Sequence, residues 1–309
     1  MIKFYKHSEI DKERWNRCIT TASASTIFAN YDFLTIANPQ WNALVEDDYQ
    51  SVMPLPWRKK YGIHYIYNPF FYSRLGIFSK KTCSPQLIYD FVHAIPKHFA
   101  LVQINLNESN PEELIAGKWQ HQVSHQLPLN QSYQAIYQNF TTNHKRNIKS
   151  ARNFSLSLDT HVHLCDIIDL FKKNRGKDKN IKIKDIDYSF FLRMSEYTQK
   201  QGVIDLWGAR NDDGKLLAGA VFLHDGNRIW FWFSGRDESQ AQKKAMFFLM
   251  DEYIQQHAQL PLTLDFNGSK NENVARFYAG FGGQKYTFPA LNFCNNALIK
   301  PLFQLTKKI

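Results

Sequence analysis

The residue in this chain most suited to chemistry is an acid inside an apolar strand. Asp265 lies between Leu264 and Phe266 in the run Leu262–Phe266. A carboxylate there is costly unless it is hydrogen-bonded or placed at the mouth of a cleft. It can then serve as a general base or hold an amine, or it can cap the turn Asn267-Gly268-Ser269. A second group is cationic and polar: Arg236, Gln242, Lys243 and Lys244, at the expected N-terminus of a long helix over 241–258. A helix dipole and its first N–H groups favour an anion there. Lys145, Lys149 and Arg152 form a third group, at i, i+4 and i+7 on one helix face with Arg146 beside them. Such a stripe either neutralises phosphates or is an ordinary solvated face. Tyr72 and Arg74 follow the turn Asn68-Pro69-Phe70-Phe71, placed either to line a cleft between domains or to lie in a surface loop.

Several chemistries find no support. His161, His163 and Cys165 alternate, but a metal site needs a third or fourth ligand of fixed geometry, and no metal is expected there. GxSxG, P-loop and HExxH patterns are absent. The four cysteines, Cys18, Cys83, Cys165 and Cys294, have neither CxxC spacing nor a framework pattern. The opening residues MIKFYKHSEIDKERW carry no apolar core of a secretory signal, and no apolar run is long enough to span a bilayer. A reducing cytoplasm is the expected location.

Strands are expected at Ile2–Tyr5, 43–45, 51–57, 64–67, 101–106 and 123–127, from β-branched and aromatic runs. Arg58–Gly62 reads as a hairpin turn and Pro85–Phe99 as a helix. Helices at 132–139 and 143–153 precede a strand at 155–163. A basic, irregular segment, 172–185, follows. Then come a helix at 188–201, strands at 203–209, 216–224 and 228–234 joined by Asn-Asp-Asp-Gly and Asp-Gly-Asn turns, the long helix, a strand at 262–266 and a helix at 271–280. Asn273 is expected to cap or anchor that last helix.

The chain is long enough for two domains, and its net charge of +10 is uneven. Residues 1–130 hold 13 Lys+Arg against 11 Asp+Glu, and residues 131–309 hold 25 against 17. The basic second part suits an anionic partner such as a phosphorylated cofactor, a nucleotide-linked substrate or RNA.

The segment Leu262–Gly283, LTLDFNGSKNENVARFYAGFGG, resembles the last strand–helix unit of GNAT-type N-acyltransferases, through Asn273, Ala275, Phe277, Tyr278, Phe281 and Gly282. His144–Ala151, HKRNIKSA, resembles the basic helical segment of FemABX-like peptidyltransferases, which carry two GNAT-like domains around a substrate cleft. Thr26–Leu34, Met53-Pro54-Leu55 and Tyr67–Phe70 are similar to that wider group. The resemblance implies an α+β (mixed α/β) fold of two tandem GNAT-like domains, 1–130 and 131–309, with a cleft between them and the donor site in the second. It implies an N-acyltransferase using acetyl-CoA or another acyl-CoA, held by Arg236, Gln242, Lys243, Lys244 and Asn273. Tyr278 matches the position that often protonates the leaving group, though it can also be a core aromatic beside Phe277 and Phe281. Asp265 is its expected catalytic partner. Lys145, Arg146, Tyr72 and Arg74 are expected to meet the acceptor, a small-molecule or nucleotide-linked amine. Two features depart from the pattern: the stretch Ser239–Ala245 lacks the glycines of a pyrophosphate loop, and no helical arm is seen. The alternatives are FemABX-like transfer from aminoacyl-tRNA to a cell-envelope precursor, and a non-catalytic module that binds tRNA or another polyanion.

Overall fold

The structure is a computed structural model that describes residues 1–110, 119–177, 183–268 and 271–296. Its contacts divide the chain into two compact units, Met1–Gln122 with Thr287–Ile309, and Val123–Tyr286. Both mix helix and sheet.

The first unit runs β1 (Ile2–Tyr5), α1 (Lys12–Thr21), α2 (Tyr31–Ala37), β2 (Trp41–Glu46), β3 (Ser51–Lys60), β4 (Ile63–Ile66), β5 (Phe78–Ser79), α3 (Pro85–Ala94) and β6 (Phe99–Asn105). Asp11 caps α1, and Ser84 caps α3 with Pro85 behind it. The strands β1 to β4 form an antiparallel meander, β6 joins β4 in parallel, and β5 pairs with β3. The β3–β4 hairpin is tighter than the sequence suggests. Pairing runs to Lys60↔Ile63, because Tyr61 and Gly62 both take positive φ and close a two-residue turn. Trp15, Phe28, Phe33, Trp41, Phe78, Phe91 and Phe99 fill the core.

Strand β7 (Trp119–Pro128) leads into the second unit. There follow α4 (Tyr133–Gln138), α5 (Thr142–Ala151), β8 (Ser157–Asp159), α6 (Leu164–Lys173), α7 (Asp185–Lys200), β9 (Ile204–Arg210), β10 (Leu216–Asp225), β11 (Arg228–Arg236), α8 (Ala245–His257), β12 (Thr263–Asp265), α9 (Glu272–Gly280) and β13 (Gln284–Cys294). The second unit's strands are ordered β7-β12-β11-β10-β9-β8. All pair antiparallel except β11 with β12, which run parallel. Buried β10 and β11 form its centre, and Phe222 stacks on Tyr253 of α8 at 3.5 Å. The end of β13, Ala290–Cys294, pairs with β6 in the first unit.

Three expectations change. The strand expected at 155–163 is only Ser157–Asp159. It is a short edge strand, paired to β9 alone, and His163 already starts α6. The expected long helix begins at Ala245, because Lys244 adopts a left-handed conformation (φ 54°, ψ 31°) after a 3-10 turn at Glu238–Lys243. The eleven-residue β13 has no counterpart in the sequence reading. Part of the basic segment, residues 178–182, lies outside the described residues. No helix among the described residues is long and apolar enough to cross a membrane.

Candidate functional site

The second unit's sheet opens where β11 leaves β12. Their register covers only Arg228↔Thr263, Ile229↔Leu264 and Trp230↔Asp265, while β11 continues to Arg236. Against β10 the register shifts, Val221 facing Phe233 and Phe222 facing Phe231, so Trp232 is a bulged residue. A bulge bends and twists its strand, and this one sits just past the last β11–β12 pair. The chain after β12 instead stays with β7: Phe266 N–H donates to the His125 carbonyl at 2.9 Å, and Gly268 packs against the Val123 carbonyl. We read the place where β11 runs on past its last pair with β12 as a wedge between the second half of β11 and the end of β12.

Tyr278 of α9 is set at this wedge. Its ring stacks on Phe266 at 4.7 Å and meets Phe231 edge-on at 6.0 Å, touching a residue from each parting strand. The residue is only 8% exposed. His125 of β7 approaches the same ring, with centroids 6.2 Å apart. His125 is 5% exposed, and among the described residues its Nδ1 has no hydrogen-bond partner. Burial, with Lys285 nearby, pulls its pKa down against the opposing pull of Asp265, so the imidazole is neutral near pH 7. The sequence reading passed over His125; its signal was a histidine in an otherwise strand-like run.

Asp265 faces the other side of β12. It is fully buried and well partnered. Oδ1 accepts from Ser124 Oγ and from Asn267 N–H, both at 2.9 Å. Oδ2 accepts from the Tyr286 hydroxyl and lies 3.6 Å from the Arg228 guanidinium. The bond to Asn267 is that of a turn cap. Asp265 and Tyr278 thus have separate partner sets on opposite faces of one short strand, because successive residues alternate faces.

The cationic group gathers at the start of α8. Arg236 is exposed and donates to Glu238 Oε1 at 2.8 Å. Gln242 is exposed and bonds Gln240, while Lys243 and Lys244 are half-buried. Lys244 is the N-cap of α8 but provides no side-chain cap; its carbonyl accepts from the N–H groups of Phe247 and Phe248, at 2.9 and 3.2 Å, and Ala245 and Met246 before them are buried. Gly235, the nearest glycine, serves packing instead: a Cβ there would collide with the Ile167 carbonyl of α6.

The α5 stripe is partly committed. Lys145 donates to the Gln138 carbonyl at 2.9 Å and Arg146 to Asn143 at 2.9 Å. Arg152 donates at 2.9 Å to the buried Asp251 of α8, which also accepts from Tyr133. His144 on the same helix is buried. Its Nε2–H donates to the Phe277 carbonyl at 2.9 Å, which joins α5 to α9. The cap of α9 is Asn271, not Asn273: Asn271 accepts from the N–H groups of Asn273 and Val274, because the helix starts two residues earlier than a cap at 273 requires. Asn273 instead accepts from Arg276. In the first unit, Tyr72 and Arg74 are buried rather than in an exposed loop. Tyr72 donates to the Phe33 carbonyl at 2.8 Å, and Arg74 pairs with Glu108 at 3.0 Å over the Phe288 ring.

The model of an acetyltransferase (GNAT) domain matches residues 138–274. FemX is similar in structure, with a TM-score of 0.64 and 12% identity over 96% of this chain and 98% of that one. The L-PGS of Bacillus licheniformis follows at 0.55 and 10% identity, over 96% of each chain. The C-terminal domain of a protein assigned as a lysylphosphatidylglycerol synthetase from Agrobacterium fabrum gives 0.58 and 11%, over 98% of this chain and 96% of that one. No curated protein sequence matches. Residues 138–274 thus match a GNAT acetyltransferase domain, and the whole chain shares the fold of FemX.

Proposed function

We propose that the chain is an N-acyltransferase that takes an acyl group from acyl-CoA, held in the wedge between β11 and β12, and passes it to an amine. The observation that carries this reading is Tyr278, whose ring touches Phe231 and Phe266 where the two strands part. Acyl-CoA fits on two counts. The α8 N-terminus has no side-chain cap, Lys243 and Lys244 immediately precede the helix, and with Arg236 they would hold the phosphates. Pairing with β12 ends at Trp230↔Asp265 while β11 runs on to Arg236, and an extended ligand chain would lie alongside that part of β11. When bound, the donor supplies an activated thioester carbonyl.

The chain's residues then manage protons and position. His125, neutral and buried, accepts the proton that the attacking amine loses. The Tyr278 hydroxyl gives a proton to the leaving thiolate. Asp265 touches neither reacting group in this scheme. It positions the end of β12 by tying Ser124, Tyr286 and Asn267 together. Acceptor discrimination belongs to Lys145 and Arg146 on α5.

The test is thiol release from acetyl-CoA with a panel of amines. Release should require an amine and collapse in Tyr278→Phe. A second reading, transfer from aminoacyl-tRNA, draws on the glycine-free stretch Ser239–Ala245 and on the full-length likeness to FemX and L-PGS. Single-turnover transfer from aminoacyl-tRNA, with no thiol release from acetyl-CoA, would replace the first reading with the second.

A further inference from the structure

Three side chains converge at the end of the second unit's sheet away from the α8 N-terminus. Asp205 lies near the start of β9, His224 near the end of β10, and His257 ends α8. One carboxylate oxygen and one nitrogen from each imidazole all lie within 4.8 Å of one another. His257 is held in place from behind. Its Nδ1–H donates to the Tyr253 carbonyl at 2.8 Å, and its ring stacks on Tyr253 at 4.1 Å. That bond leaves the lone pair on Nε2, which lies 3.9 Å from Asp205 Oδ2.

Two acceptors at this range repel unless a proton or a cation lies between them. Asp205 Oδ2 already accepts from His224 Nε2–H and the Tyr253 hydroxyl, at 2.6 and 2.9 Å, so a cation is the remaining bridge to the His257 lone pair. Tyr253 is the orienting donor: its hydroxyl gives to Asp205 Oδ2 at 2.9 Å, and burial beside that carboxylate keeps the phenol protonated.

We propose that Asp205, His224 and His257 bind a divalent transition metal of the zinc class. Two imidazoles and one carboxylate, with water in the fourth position, suit zinc and its neighbours. Magnesium and calcium prefer all-oxygen sets. The outer hydrogen bonds are those a metal site needs, a backbone carbonyl behind one histidine and a phenol behind the carboxylate. His224 and Asp205 are each about one-third exposed, so an ion can enter from solvent. In the metal-free arrangement His224 Nε2 lies 2.6 Å from Asp205 Oδ2. Binding moves that proton to His224 Nδ1, with no net proton released, and draws both groups to about 2.0–2.2 Å from the ion. The ion would tie β9, β10 and the end of α8 together, a structural staple remote from the donor wedge.

Full-length protein stripped with chelator is titrated with Co2+ and then Zn2+. The expected result is stoichiometric Co2+ binding with a visible d–d band, displacement by Zn2+, and a Tm that rises with metal. His257→Gln and Asp205→Asn should each weaken Zn2+ binding at least ~10-fold. Cys165→Ser, at an exposed thiol in α6, should leave it unchanged. Absence of the d–d band in wild type, or wild-type affinity in the His224→Gln/His257→Gln double variant, overturns the proposal. If a variant fails to fold, the wild-type Co2+ spectrum decides alone, since a band without nitrogen ligation also overturns it.

Discussion

At the scale of single residues, the proposed mechanism separates chemistry from binding. Tyr278→Phe keeps the ring on Phe266 and Phe231 but removes the proton donor. Turnover should fall about 10²–10⁴-fold with donor affinity nearly unchanged, and steady-state kinetics beside a binding titration check both. Wild-type turnover would remove Tyr278 as the acid. His125 sets a pH limit. Its pKa lies below the ordinary 6.5 because it is buried, so kcat/KM should hold through pH 6.5 and decline only below it. Buried His144 acts on stability in the same sense, its pKa lowered mainly by burial and partly restored by Phe277. The unfolded chain takes up that proton first as pH falls. His144 therefore contributes stability above about pH 6.5 that is lost through its lower folded pKa, by up to about 1.4 kcal/mol per pH unit. Denaturant melts of wild type and His144→Gln at pH 5.5 and 7.5 measure it. Tyr278 and Asp265 drew attention in the sequence because an acid in an apolar strand and an aromatic cluster on one helix stand out locally; the structure gives Asp265 its own partners, Ser124 and Asn267, apart from the Tyr278 ring. His125 did not, since its burial depends on α9, far along the chain.

At the scale of elements, close approach decides the tolerances. At Gly280, a Cβ would fall inside the His144 ring. That ring is hydrogen-bonded to Phe277 and flanked edge-on by Phe247 and Phe281, so it cannot yield cheaply. Gly280→Ala should destabilise the protein by about 1–3 kcal/mol, read as a shift in the urea midpoint; no shift would mean that α5 and α9 can slide apart. Hairpins and amphipathic helices were readable because their signals are local: the positive-φ turn at Gly214 and the caps at Asp11 and Ser84 are examples. The break at Lys244 was not readable. Lysine has no preference for the left-handed region, and Lys244 takes it as the junction between the 3-10 turn and α8. The same limit hid β13, whose pairing partner β6 is distant in sequence.

At the scale of the whole molecule, the basic character of residues 131–309 supports an anionic donor without naming it. The GNAT resemblance was drawn mainly from one strand–helix segment, in which Phe266 just after β12 stacks on Tyr278 of α9, and a GNAT domain matches residues 138–274. The donor was less legible, since a GNAT site binds largely through backbone groups, which leave little trace in side-chain identity. The most direct measurement is a binding titration of the full-length protein with acetyl-CoA at low and high salt, for wild type and Arg236→Ala/Lys243→Ala, with aminoacyl-tRNA alongside. The expected result is micromolar acetyl-CoA binding that survives salt in wild type and weakens at least ~10-fold in the double variant. No acetyl-CoA binding, with salt-sensitive binding of aminoacyl-tRNA, would contradict the acyl-CoA assignment.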